Sequence, residues 1–247
     1  MALQKISMEE AKKFLELKRD GARIVANATT MCILSPILLI IMGSIAEGHV
    51  FPITEALAAG LGLVFLFLMI ASAVYLFITY GLRKSQMEYL EKDDIEVEDV
   101  VCKMIHEKKK SYESIFTRGI AGGVVLCILS VIPIILAGIA DVPDFICGIF
   151  VGILLSLVAS GVNIIIRVSM INDSYNTLLE EGEFCREEKK IKRTMDIFSS
   201  IYWCLITAIY LGGSLITMRW DITWKIWPVA GVLYAAVYNM IKMLVRI

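Results

Sequence analysis

Five stretches of this chain carry no charged residue over a length that spans a lipid bilayer: residues 24–46 (23 residues), 56–82 (27), 119–140 (22), 145–166 (22) and 197–218 (22). A hydrocarbon core of about 30 Å needs about 20 apolar residues in a helix. Within that core every backbone N–H and C=O must be bonded inside the segment or within a closed barrel. Stretches of this length and apolarity leave an all-α integral membrane protein as the fold class. A sixth stretch, 226–241, has only 16 uncharged residues between Lys225 and Lys242. Lysine stems let the ammonium group snorkel to the interface, and Trp220, Trp224 and Trp227 stand where indoles favour the headgroup region. The sequence thus predicts six transmembrane helices.

The basic residues set an orientation. Six Lys and Arg precede residue 24, eight lie in 83–118, six in 167–193 and two in the tail, whereas the intervening loops hold only Arg219 and Lys225. The positive-inside rule then places both termini and the two long charged loops in the cytoplasm of a bacterial plasma membrane. The opening "MALQKISMEEAKKF" has no short apolar core before a cleavage site, so no secretory signal is expected. Four of the six cysteines fall inside the apolar stretches, and Cys102 and Cys185 fall in blocks assigned to the reducing cytosol, so no disulfide framework is expected. A net charge of −1 offers no bulk field for nucleic acid.

The chain also repeats itself. "MCILSPILLIIMG" from Met31 returns as "LCILSVIPIILAG" from Leu126, with Cys32 and Cys127 95 residues apart. Arg23 and Arg118 keep the same offset, "ASAVYLFI" from Ala71 answers "ASGVNIII" from Ala159, and "LEKDDI" from Leu90 answers "LEEGEF" from Leu179. Pro52 and Pro143 each open a returning helix, where a missing N–H is tolerated. "KKKSYESIF" from Lys108 reappears as "KIKRTMDIF" from Lys190. The expected organisation is a single membrane domain, 1–247, of three tandem two-helix repeats (8–92, 98–181 and 186–247) with cytoplasmic helical extensions. Both ends of each unit share a side, which makes the repeats parallel.

The lead-in helices are legible in detail. Ser7-Met-Glu-Glu10 is a capping-box pattern, and the helix it opens continues into the first span. Val101, Met104 and Ile105 would give the second lead-in a sticky face, and so a small helical layer beneath the bilayer.

Candidate sites are few. Gly148, Gly152, Ser156 and Ser160 follow one another at four-residue spacing, a small-residue ridge for close helix packing. Asn163 and Arg167 continue on roughly the same face. They can be read as a ligand site holding an anion at the inner end of a cleft, or as packing topped by a snorkelling arginine; the boundary position of Arg167 favours the second. Pro36 and Pro133 lie within apolar stretches and free the carbonyls of Cys32 and Leu129, which nearby hydroxyls can satisfy. Simple bends are favoured over transporter cavities. Cys102 and His106 stand at i, i+4, but no second pair joins them, so neither a metal nor any other cofactor is expected. Catalytic signatures are missing, and no carboxylate lies inside a span to couple transport to protons or sodium.

The segment "YWCLITAIYLGGSLITMRWDITWKIWPVAGVLYAAV" from Tyr202, with "CILSP" and "YLEKDD", resembles the membrane region found C-terminal to helix-turn-helix regulators (xenobiotic-response-element type) of Gram-positive anaerobes. The resemblance covers residues 8–247 and implies a six-span bacterial membrane module. That family lends no biochemical activity and no residue roles, and its DNA-binding domain has no counterpart in these residues. The expected function is therefore a non-enzymatic sensor or anchor module signalling to a cytoplasmic regulatory protein. The alternative is a small permease or channel-like subunit, favoured by a continuous polar cavity lined by Asn27, Asn163 and Asn239. Expected partners are the lipid bilayer and that regulatory protein, without direct nucleic acid and with self-association left open.

Overall fold

The computed structural model describes residues 4–48, 54–92, 95–140, 142–218 and 220–245. Along them run β1 (Gln4–Ile6), α1 (Met8–Leu34), α2 (Ile37–Glu47), α3 (Glu55–Ser85), α4 (Tyr89–Lys92), β2 (Ile95–Val97), α5 (Asp99–Leu129), α6 (Ile132–Ile139), α7 (Asp144–Leu179), α8 (Arg186–Thr217), α9 (Trp220–Thr223) and α10 (Ile226–Val245). Five helical segments, Met8–Glu47, Glu55–Ser85, Asp99–Ile139, Phe145–Leu179 and Glu187–Thr217, are long and apolar enough to cross a membrane. Ile226–Met240 is apolar but shorter. His49, Pro52, Asp93, Asp94 and Arg219 lie outside the described residues.

Two compact units emerge, one holding Met1–Glu91 and Ile95–Leu179, the other Glu180–Ile247. In the first, α7 packs along α1 and α2 and also along α5 and α6, while α3 packs along α1 and α2. Glycines set these approaches. A Cβ on Gly62 of α3 would stand 2.6 Å from the Leu39 Cα of α2, and one on Gly161 of α7 only 2.7 Å from the Gly123 carbonyl of α5. Such backbone contact replaces side-chain interdigitation where lipid offers no hydrophobic drive.

Two of the apolar segments break at matching places. α1 yields to α2 at Ser35-Pro36, and α5 yields to α6 at Ser130-Val131, 95 residues later. Each buried serine bridges the gap: Ser35 Oγ donates to the Cys32 carbonyl at 2.8 Å and Ser130 Oγ to the Cys127 carbonyl at 2.6 Å. The first is the bond expected from Pro36. The second differs from expectation, because the break precedes Pro133 and the hydroxyl serves Cys127 rather than Leu129. Pro133 falls in the first turn of α6, where an absent N–H is harmless.

At the charged end of this unit α1, α5 and α7 run without interruption from apolar segment into a small folded layer. Ser7 opens α1 with the full capping box: its Oγ accepts from the Glu10 N–H at 3.3 Å and its own N–H donates to the Glu10 carboxylate at 3.0 Å. The core of the layer comprises Ile6, Ala11, Phe14, Leu90, Ile95, Val101, Ile105 and Leu178. Val101 and Ile105 are thus buried together, with Met104 packed at the edge, as the apolar face of the lead-in helix required. A parallel pairing of β1 with β2, Gln4 opposite Ile95, lies alongside and was not expected from the sequence.

Glu91 ties the layer together. It pairs with Lys18 of α1 and, at 2.9 Å, with Lys84 of α3. The Lys18 ammonium also stands 5.5 Å from the centre of the Phe14 ring. Burial raises the Glu91 pKa, but hydrogen bonds and charge from Lys18 and Lys84 outweigh it, leaving the carboxyl below its ordinary value of 4.5. A depressed carboxylate contributes stability that is fully present above the unfolded value and lost as pH falls through the folded one. Glu91→Gln should therefore lower the melting temperature at neutral pH by an amount equivalent to about 3 kcal/mol, because Lys18 is left buried without its partner. Melting curves of variant and parent should converge as pH falls below 4.5.

The second unit is an aromatic seam between α8 and α10. Trp203 stacks on Trp227 with ring centres 6.0 Å apart, Tyr202 and Phe198 meet Tyr234, and the Tyr202 hydroxyl donates to the Ala230 carbonyl at 2.6 Å. Trp227 stacks in this seam although it stays partly open at 39% exposure, and Trp224 is more open still at 55%.

Candidate functional site

Asn163 and Arg167 meet α1 directly. The Asn163 amide donates to Thr30 Oγ1 at 2.8 Å and to Asn27 Oδ1 at 3.4 Å, and Arg167 Nη2 donates to the same Asn27 oxygen at 2.9 Å. Two residues one turn apart on α7 therefore converge on two residues three apart on α1, which locks the register of the helices. Arg167 Nε is buried and donates no hydrogen bond among the described residues. Asn239, the third asparagine of the predicted cavity, is exposed on α10 in the second unit.

The small-residue ridge divides in two. Gly148 lies against the Ser44 side chain of α2, and a Cβ on Gly152 would come within 3.3 Å of Ile41 Cδ1. Ser156 and Ser160, expected in the same packing row, are exposed, and their hydroxyls return to the Gly152 and Ser156 carbonyls at 2.8 Å each. The reason is geometric: a four-residue step overshoots a 3.6-residue turn by about 40°, so Ser160 is turned about 120° from Gly148. Gly152→Leu should destabilise the protein by about 1–3 kcal/mol, since its outer carbons must displace Ile41. A thermal melt in detergent reads this directly, and an unchanged midpoint would mean the ridge is free of α2.

Sequence reasoning missed a cleft at the charged end of the first unit, of about 450 Å³, where α1 and α5 wall a floor of α7. It is lined by Lys12, Glu16 and Arg19 of α1, Lys108, Tyr112 and Ile115 of α5, and Ile171, Ser174 and Tyr175 of α7. The signal was present: 12, 16, 19 and 108, 112, 115 share the i, i+4, i+7 spacing of one helix face. Tyr112 of α5 and Tyr175 of α7 meet edge to face at 5.8 Å, fixing one wall against the floor. Among the described residues none of the three cations makes an ion pair.

Cys102 and His106 are exposed on α5, and no group of three or more metal-ligating side chains occurs among the described residues. All six cysteines are free thiols. No family model, no curated protein and no solved structure matches this chain. What it does must be read from its own residues.

Proposed function

We propose that this chain is a non-enzymatic, six-span protein of the bacterial plasma membrane, a sensor or anchor module that signals to a cytoplasmic partner through the layer at its charged end. The observation that carries this reading is the continuity of α1, α5 and α7 from apolar segment into a layer with its own core. A rigid helix with one half in lipid and the other in a folded layer transmits a tilt or rotation, provided the layer has two packings for a signal to bias. α10 supplies the sixth span: its 20 residues reach about 30 Å as a helix. The matching breaks at Ser35 and Ser130, each bridged to a cysteine carbonyl, support tandem repetition of 8–92 by 98–181. The resemblance to the membrane region of helix-turn-helix regulators agrees with a regulatory partner. Asn27 and Asn163 bind one another instead of lining an opening, which weighs for the module over a permease.

Two experiments test it. Single-cysteine labelling in intact cells should protect position 106 and expose position 49; access of an impermeant reagent to 106 would reverse the orientation. Neutralising Asp93, Asp94, Glu96, Glu98 and Asp99 should change the set of proteins that co-purify from native membranes. An unchanged set from a normally inserted variant would sink the signalling role and move the permease ahead.

A further inference from the structure

We infer that the cleft walled by α1 and α5 holds the anionic headgroup of a phospholipid. This rests on the membrane reading above. Its lining brings three cations, Lys12, Arg19 and Lys108, against one carboxylate, Glu16, with the two tyrosines beside them. Three cations against one carboxylate leave the concavity with excess positive charge, and a phosphate between the cations relieves their repulsion while accepting their hydrogen bonds.

The depth of the cleft selects lipid over a soluble phosphate. At about 1.5 Å per residue, Arg19 stands roughly 7 Å beyond the uncharged stretch starting at Ile24, and Ile115 roughly 6 Å beyond the one starting at Gly119. Ile171 stands roughly 7 Å beyond the stretch ending at Ile166. The headgroup layer occupies roughly 5–7 Å on each side of the hydrocarbon core. The edge of the cleft nearer the apolar segments, where two isoleucines flank an arginine, therefore lies at headgroup level. Lys12 and Lys108 lie further out and close the far end. One turn from Ile171 along α7 toward the apolar segment comes Arg167, whose Nε donates no hydrogen bond among the described residues. Apolar contact on one side and an excess of cations on the other fit a molecule that is itself amphiphilic.

The test titrates the full chain, purified in detergent, with dioctanoyl phosphatidylglycerol, counting bound lipid by native mass spectrometry. Dioctanoyl phosphatidylcholine and inorganic phosphate serve as comparators. Removing each cation should weaken phosphatidylglycerol roughly fivefold, so Lys12→Gln/Arg19→Gln/Lys108→Gln should lose affinity on the order of a hundredfold. Lys13→Gln/Lys103→Gln/Lys110→Gln, with the same charge removed outside the cleft, should bind as the parent does. Equal retention of phosphatidylcholine, retention by the triple variant, or equal loss in the control would each overturn the inference. Displacement of the lipid by equimolar inorganic phosphate would overturn the lipid assignment in favour of a soluble anion. Should the triple variant fail to fold, the exposed Lys108→Gln alone decides: a fivefold loss supports the site and no loss overturns it. Only purified chain and lipid are present, so this result is independent of whether a protein partner is found in native membranes.

Discussion

Gly161→Leu should abolish the folded state of the first unit. A Cβ there would stand 2.6 Å from Cys127 Sγ and 2.7 Å from the Gly123 carbonyl oxygen. The nearer obstacle is a side chain that can turn, but the second is backbone, and backbone yields only if the helices separate. Overpacking a core usually costs about 1–3 kcal/mol; here the cost exceeds that range because the whole contact between α5 and α7 is lost. Size-exclusion chromatography in detergent should show aggregate in place of a monodisperse peak. Gly60→Leu is the matched control, since a Cβ at Gly60 meets nothing within 4 Å. A Gly161→Leu protein that melts like its parent would mean that α5 and α7 do not cross at this glycine.

Phe14→Ala should empty the centre of the layer without dismantling the apolar helices. Phe14 is the largest fully buried side chain among the described residues and sits with Ile6, Leu90, Val101, Ile105 and Leu178. Truncating a buried phenylalanine costs about 3–5 kcal/mol. A layer with so few buried residues has little reserve against such a loss, and it should open locally while the apolar segments stay packed. Hydrogen exchange should accelerate at residues 4–18 and 87–105 and remain slow at 24–34 and 150–165. Uniform acceleration along the chain would show that layer and apolar helices unfold as one.

What the sequence made legible is what local periodicity can carry. The uncharged runs, the Ser7–Glu10 cap, the break at Ser35-Pro36 and the buried face of Val101 and Ile105 each depend on residues within a turn or two of one another. The contacts that escaped it join distant positions. Lys18 meets Glu91 from 73 residues away, and Arg167 meets Asn27 from 140. β1 and β2 are three residues each, too short for alternation to register as a pattern. The cleft escaped for the same reason, since its two walls carry readable faces but nothing local brings α1 beside α5. Ser156 and Ser160 fell to a different limit, a four-residue spacing followed for more turns than helix geometry allows.

The pairing of Gln4 with Ile95 has a consequence for how the protein is made. Parallel strands need a crossover between them, and here it comprises α1, α2, α3 and α4. β1 leaves the ribosome before β2 and stays without its partner while 91 residues are added, about 5 to 20 s of synthesis at roughly 5–20 residues per second. Throughout that interval Ile6, Ala11 and Phe14 are denied the β2 and α5 residues that later cover them. The nascent chain thus carries an uncovered apolar patch at Ile6, Ala11 and Phe14 until the second lead-in helix arrives.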